Sequence, residues 1–327
     1  MTDVSNGFLV ISLDFELHWG VFDKRSVSQY KENLENVKFV IPRLLKLAEE
    51  YNVKLTFATV GFLFAENKEE LLKSNPNLLP NYSNPKFSPY RILNSIGSNE
   101  KDDEFHYGYS LINQIQHTNK HEIGTHTYSH YYCLEDGQTK EQFEADIIAA
   151  ISIARKKNIT ITSIVFPRNQ VNKTYLDVCK KHGIITYRGL EKHKIYNTLD
   201  RENHKKQTTR ALRFIDAYFN LTGYSTYNLN EIKTDSGLVN LPSSMFLRPY
   251  SRTMKSLEPL KISRVKNAMA YAAKNKEIFH LWWHPHNFGS HINESFSGLE
   301  AIFEHYQTLN KQHKYESITM SELASYS

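Results

Sequence analysis

Short apolar runs, each delivering a polar side chain at its C-terminal end and each followed by a helix-period segment, constrain this chain more than any other feature. Phe8-Leu-Val-Ile-Ser-Leu13 leads to Asp14, Glu122-Ile-Gly leads into His126, Ile161 to Phe166 leads to Arg168, and Ile278 to Trp283 leads to His284. Leu55 to Val60, Ile184 to Tyr187 and Gly237 to Leu241 are further runs of the same kind, and Ser317 to Met320 is a short final strand or turn. Between them, Leu34, Val37, Val40, Ile41, Leu44, Leu45 and Ala48 recur at the spacing of one helix face. Phe143 to Lys157, Tyr175 to His182, Ile262 to Lys274 and Gly298 to Leu309 are patterned alike. Strands alternating with helices predict right-handed βαβ units and a mainly parallel α/β sheet. In a parallel barrel the four polar strand ends lie on one face, where active sites are built.

Two of those ends carry metal-site chemistry. His126-Thr-Tyr-Ser-His130 sets two imidazoles four residues apart, and Asp14-Phe-Glu16 sets two carboxylates on one face of a strand. Two histidines and one carboxylate make a facial site with open positions, and the second carboxylate is then free to act as a base. On the residues alone, either carboxylate can take either role. The metalloprotease pattern is absent, because Thr127 stands where its glutamate would be. Arg168, after a buried-looking strand, calls for a partner, and Asp14 or Glu16 would supply one. His284 or His286 of Trp282-Trp-His-Pro-His286 could protonate a leaving amine.

Composition narrows the setting. Cys133 and Cys179 are the only cysteines, so no disulfide framework is implied. Met1 to Gly7 has no basic leader, and no run approaches the ~20 apolar residues of a membrane helix, so the cytoplasm is the expected compartment. Between Arg188 and Arg213, eight lysines and arginines face three acids, an excess equal to that of the whole chain at +5. Such a segment suits phosphate groups or an anionic membrane face, hence peripheral membrane contact. Nucleic acid is not expected, since the aromatic interleaving of a stacking platform is missing. Residues 1–327 are expected to form one domain, with an excursion over the barrel mouth at 67–103 and a basic insertion near 188–235.

In order and spacing, Asp14-x-Glu16, His126-x-x-x-His130, Arg168 and His284 resemble the motifs of the polysaccharide deacetylase (NodB homology) family. The resemblance runs from about Phe8 to Met320 and is most specific in His121-Glu-Ile-Gly-Thr-His-Thr-Tyr-Ser-His130. Phe279-His-Leu-Trp-Trp-His-Pro-His-Asn-Phe288 looks like the branch found among lipopolysaccharide and surface-glycan biosynthesis genes. The pattern departs at three places. Phe15 separates the two acids, Pro167 precedes Arg168 instead of following it, and Leu241-Pro-Ser-Ser244 stands where an Asp-x-x-Asp-Trp motif is usual.

What the resemblance implies is a distorted (β/α) barrel of about seven parallel strands holding one divalent metal, zinc foremost, with cobalt or nickel as alternatives. Glu16, His126 and His130 would hold the ion, Asp14 would be the general base oriented by Arg168, and His284 the general acid. Trp283, His286 and Asn169 are the expected substrate contacts. The implied reaction is removal of an N-acetyl group from an amino sugar, in a glycan or in a precursor linked to a nucleotide or lipid diphosphate. Two other readings compete: an allantoinase-like hydrolase of small linear or cyclic amides, and a non-catalytic glycan-binding protein.

Overall fold

The first strand, β1 (Phe8–Phe15), is buried at all eight positions, as befits a parallel strand covered on both faces. Alternation divides its side chains. Leu9, Ile11, Leu13 and Phe15 join the large core beneath the surrounding helices. Phe8 and Val10 enter a separate inner cluster, and by parity Ser12 and Asp14 continue that inner column upward. The column thus runs from apolar at the bottom to ionisable at the top.

The computed structural model describes residues 6–196, 206–232 and 237–326. Asp200, Arg201, Glu202 and Lys205 of the basic segment, and Met1 to Ser5, lie outside the described residues. The other strands are β2 (Thr56–Thr59), β3 (Glu122–Thr125), β4 (Ser163–Ile164), β5 (Thr186–Gly189), β6 (Val239–Pro242), β7 (Met245–Phe246), β8 (Ile278–Trp283) and β9 (Glu316–Ile318). They pair in the order β6-β5-β4-β3-β2-β1-β8-β7, with every ladder parallel. β9 pairs with β1 at Phe8–Val10, below the stretch that β2 occupies at Ser12–Phe15.

The two flanks of the sheet are joined by the chain itself. Ser243 N–H donates to the Gly189 carbonyl on β5 (3.0 Å), and Ser244 N–H to the His280 carbonyl on β8 (2.8 Å). This is a distorted (β/α) barrel. Its nine strands among the described residues exceed the expected seven through the two-residue β7, too short to announce itself by period, and through β9, which falls on the short strand or turn expected at 317–320.

Ten helices surround it: α1 (Val27–Glu35), α2 (Val37–Glu50), α3 (Lys68–Lys73), α4 (Tyr109–His117), α5 (Lys140–Lys156), α6 (Leu176–Lys181), α7 (Gln207–Phe219), α8 (Glu258–Asn275), α9 (Ile292–His313) and α10 (Met320–Ala324), counted among the described residues. α2 buries Val37, Val40, Ile41, Leu44, Leu45 and Ala48 on the periodic face. α5 begins with a reciprocal cap between Thr139 and Gln142, which satisfies two otherwise unpaired N–H groups. α10 puts Met320 and Leu323 into the inner cluster and plugs the lower end of the barrel. None of the described helices is long and apolar enough to cross a membrane.

Residues 67–103 are the stretch expected as an excursion over the barrel mouth. None of its residues lines the main cavity. It folds against the loop after the histidine pair, where Tyr132 N–H donates to the Tyr82 hydroxyl (2.8 Å) and Ser83 N–H to the Asp136 carbonyl (2.8 Å).

Candidate active site

Asp14 leaves the top of β1 almost fully buried, and its partner is Arg188 on β5. Nη1 and Nη2 of Arg188 donate to Oδ1 and Oδ2 at 2.7 and 2.8 Å, the paired geometry that a planar guanidinium offers a carboxylate. The same guanidinium donates to Ser12 Oγ (3.0 Å) and Asn169 Oδ1 (2.9 Å) and lies 4.1 Å from the Trp282 ring. Burial pushes the Asp14 carboxyl up, but Arg188, with His126 and His284 behind it, wins and holds it below the ordinary aspartate range.

Arg168 does not hold Asp14, contrary to expectation. Its guanidinium pairs with Asp23 and stacks 4.0 Å from the Tyr132 ring, while its backbone adopts a left-handed φ of 56°. That conformation turns the side chain to the cavity wall, and it is Asn169, the next residue, that touches Arg188. Arg188 was legible only as part of a basic stretch. Its position directly after the apolar run Ile184 to Tyr187 was the available signal, the same one that singled out Arg168.

Glu16 stands two residues beyond Asp14 and brings Oε2 to 3.1 Å from His130 Nε2 and 3.3 Å from His126 Nε2. One donor atom from each of the three lies within 4.8 Å of the others, and all three residues are buried. The arrangement suits a cation. His126 Nδ1 lies 2.8 Å from the Val165 carbonyl, which can only accept, so in the neutral ring Nε2 turns a bare lone pair toward the carboxylate. Burial outweighs the neighbouring Glu16 carboxylate, which favours the protonated ring, and pushes His130 down to about 4, so its ring is neutral at pH 7. Burial opposes ionisation of Glu16, yet His284, His126 and His130 draw it well below the ordinary glutamate range. An ionised carboxylate facing imidazole lone pairs is stabilised by a positive ion between them.

Backbone geometry and one buried acid shape this loop. Thr127 and His130 take left-handed φ of 63° and 56°, uncommon for residues with a β-carbon. Asp146 on α5, wholly buried, accepts from Tyr128 N–H (2.6 Å), Ser129 N–H (3.2 Å) and the Ser129 hydroxyl. Among the described residues no cation is paired with it, and burial outweighs these bonds and raises its pKa to about 7. Thr127 Oγ1 accepts from Tyr131 N–H at 2.6 Å. Asp146 sits in the helix pattern after the histidines, and nothing in the sequence separates it from a solvated helix acid.

His284, at the end of β8, places Nε2 3.5 Å from Glu16 Oε1 and 3.7 Å from Asp14 Oδ2. His286 stacks on it with ring centres 5.1 Å apart. Burial, followed by the His284 charge, pushes His286 down to about 3, so it carries no proton to give at neutral pH. All these groups open onto a cavity of about 760 Å³. Asn169 and His286 line it, but Trp283 does not. That ring is fully buried and stacked on Phe288 (5.7 Å, 11°), while Trp282 faces the cavity. The parity of the strand explains the exchange: Trp282 and His284 are two apart and share a face, as do Ser12 and Trp282 in the paired register.

The profile of the polysaccharide deacetylase family matches residues 22–187, slightly more than half of the chain, taking in the histidine pair and Arg168. No curated protein matches in sequence. Among solved structures, a candidate polysaccharide deacetylase from Mycobacterium smegmatis superposes with a TM-score of 0.62 at 13% identity, covering 100% of this chain and 91% of that one. Another from Pseudomonas aeruginosa PAO1 gives 0.52 at 11% identity, covering 98% and 89%. Puue allantoinase gives 0.53 at 11%, covering 100% and 91%. At these identities the likeness is one of fold, and the family rests on the profile match across the stretch that carries the histidine pair. The chain belongs to the polysaccharide deacetylase family.

Proposed function

We propose that the protein is a metal-dependent N-deacetylase acting on an acetylated amino sugar in a glycan or glycan precursor. The observation that carries this reading is the convergence of Asp14, paired with Arg188, and the Glu16–His126–His130 cluster beneath His284 in one cavity. Glu16, His126 and His130 would hold one divalent cation, with zinc the first choice for a carboxylate and two imidazoles. A cation there supplies Lewis-acid polarisation of the amide carbonyl and acidifies water.

The remaining roles belong to this chain's own side chains. Asp14, kept ionised by Arg188, accepts the proton of the water that attacks the acetyl carbon. As the C–N bond breaks, His284 Nε2 gives a proton to the departing amine, and acetate and free amine result. Trp282 offers an aromatic wall for a sugar ring, and Asn169 and His286 offer polar contacts in the lining of the same cavity. A cavity of about 760 Å³ admits a sugar ring with its substituents, which supports a glycan over a small cyclic amide.

The test is acetate release from N-acetylated oligosaccharides by purified protein loaded with zinc. Asp14→Asn is expected to lower turnover by about 10²–10⁴-fold while metal content stays near wild type. Wild-type turnover by Asp14→Asn, or turnover of cyclic amides with none on acetylated sugars, would sink the reading.

A further inference from the structure

α7 is amphipathic the wrong way round for a helix that packs only on its own domain. Leu212, Ile215 and Phe219, at positions i, i+3 and i+7, form one stripe. All three are exposed, Phe219 at 56%, and Leu221 and Tyr224 just beyond the helix are exposed too. The side turned inward is polar: Asp216 is buried on Arg264 (2.6 Å), and Arg213 and Ala217 line the active-site cavity. Tyr224 packs on the exposed Tyr271 of α8, ring centres 5.1 Å apart, which extends the apolar surface onto the neighbouring helix.

The charge around this surface is predominantly positive. Residues 206–232 and 248–276 contain eleven lysines and arginines against three acids. Lys206, Arg210, Arg252, Lys255, Lys274 and Lys276 are exposed. Of the acids, Asp216 is bound to Arg264 and Glu258 to Lys261 at 2.5 Å. An outward apolar stripe amid a basic surface has the composition of a helix that lies in the headgroup region of a bilayer. A second copy of this chain is the poorer occupant, because it would bring the same positive charge against itself.

We propose that α7 and its surroundings dock on an anionic lipid bilayer, with Leu212, Ile215 and Phe219 inserted among the headgroups. Docking there sets the side of the cavity lined by Arg213 and Ala217 next to the membrane surface. The proposal goes beyond the deacetylase reading and does not depend on it.

The full chain is mixed with phosphatidylglycerol–phosphatidylcholine vesicles, or with pure phosphatidylcholine vesicles, and bound protein is measured by co-sedimentation. Binding to the anionic vesicles is expected to be roughly tenfold or more tighter than to the neutral ones, and to weaken with salt. Leu212→Asp/Phe219→Asp is expected to lose it by a similar factor with an unchanged melting temperature. Lys206→Glu/Arg210→Glu, which keeps the stripe, should lose several-fold. Hydrolysis of a soluble acetylated oligosaccharide should be unchanged in both variants, so a failure of docking is distinct from a failure of catalysis. Wild-type protein left in the supernatant with anionic vesicles, or an apolar-stripe variant that binds like wild type, overturns the proposal. So does a dimer in light scattering that Leu212→Asp/Phe219→Asp splits.

Discussion

Arg188 and Asp14 meet across the barrel in two parallel hydrogen bonds of 2.7 and 2.8 Å, both side chains shut away from solvent. Desolvating two charges is unfavourable, and the pair persists because Nη1 and Nη2 each bond an Asp14 oxygen and donate a further N–H, to Ser12 and Asn169 respectively. Breaking the pair from one side is the expensive change. Arg188→Met should destabilise the fold by about 3–5 kcal/mol in urea unfolding, since Asp14 is left buried without its cation. Arg168→Met should lose less, since the Arg168 side chain is partly exposed, at 21% against 0% for Arg188. Equal losses would mean that Arg168 supports Asp14 after all.

Gly20 lies against the Glu16 carboxylate. A β-carbon there would come within 1.9 Å of Cδ and Oε1, so the carboxylate, not the backbone, must give way. Gly20→Ala should therefore weaken zinc binding by about 10–100-fold, the range seen when the support of a ligand is disturbed, with little change in melting temperature. Calorimetric titration with zinc reads the first and a thermal melt the second. Wild-type zinc affinity would show that Glu16 can move freely.

Asp146 ties the histidine loop to α5. Asp146→Ala leaves the Tyr128 and Ser129 N–H groups buried without their acceptor, at about 1–3 kcal/mol for each. Asp146→Asn keeps an oxygen for Tyr128 and should lose less. Urea unfolding of the two variants, with zinc titration alongside, gives the order. If Ala and Asn behave alike, the carboxyl oxygens are not what holds the loop.

Acid should destabilise the protein from a definite group. His280, inside the barrel with Nε2 2.8 Å from Ser12 Oγ, is pushed from 6.5 down to about 3 by burial and then by the Arg188 charge. The unfolded chain therefore takes up this proton first as pH falls. The stability that neutral His280 confers is complete above about pH 6.5 and is lost progressively toward pH 3, at most about 1.4 kcal/mol per pH unit. Urea midpoints at pH 7.5 and 5 should drop for wild type and drop less for His280→Gln. An unchanged difference would place the acid sensitivity elsewhere.

Much of this architecture is legible in one dimension because its causes are local. The apolar column of β1, the period of α2 and the four-residue spacing of His126 and His130 depend on strand and helix geometry alone. Trp282, too, is legible in place of the expected Trp283, since its parity matches that of His284. α7 also carries a helical period in Leu212, Ile215 and Phe219, but only the tertiary structure shows that this stripe faces outward. The excursion over 67–103 carries little period, and its contacts with Tyr132 and Asp136 join segments about fifty residues apart.

From sequence alone come the parallel α/β barrel, the top face on which its polar strand ends gather, and the chemistry of two carboxylates with two histidines. Each follows from spacing within one element or from the order of elements. Tertiary structure alone decides which arginine meets Asp14, which tryptophan faces the cavity, and what pins the histidine loop. Those depend on register between strands far apart in the chain: Arg188 and Asp14 are separated by 174 positions. A guanidinium takes whichever buried carboxylate the assembled barrel places within about 3 Å, and no local pattern encodes that distance.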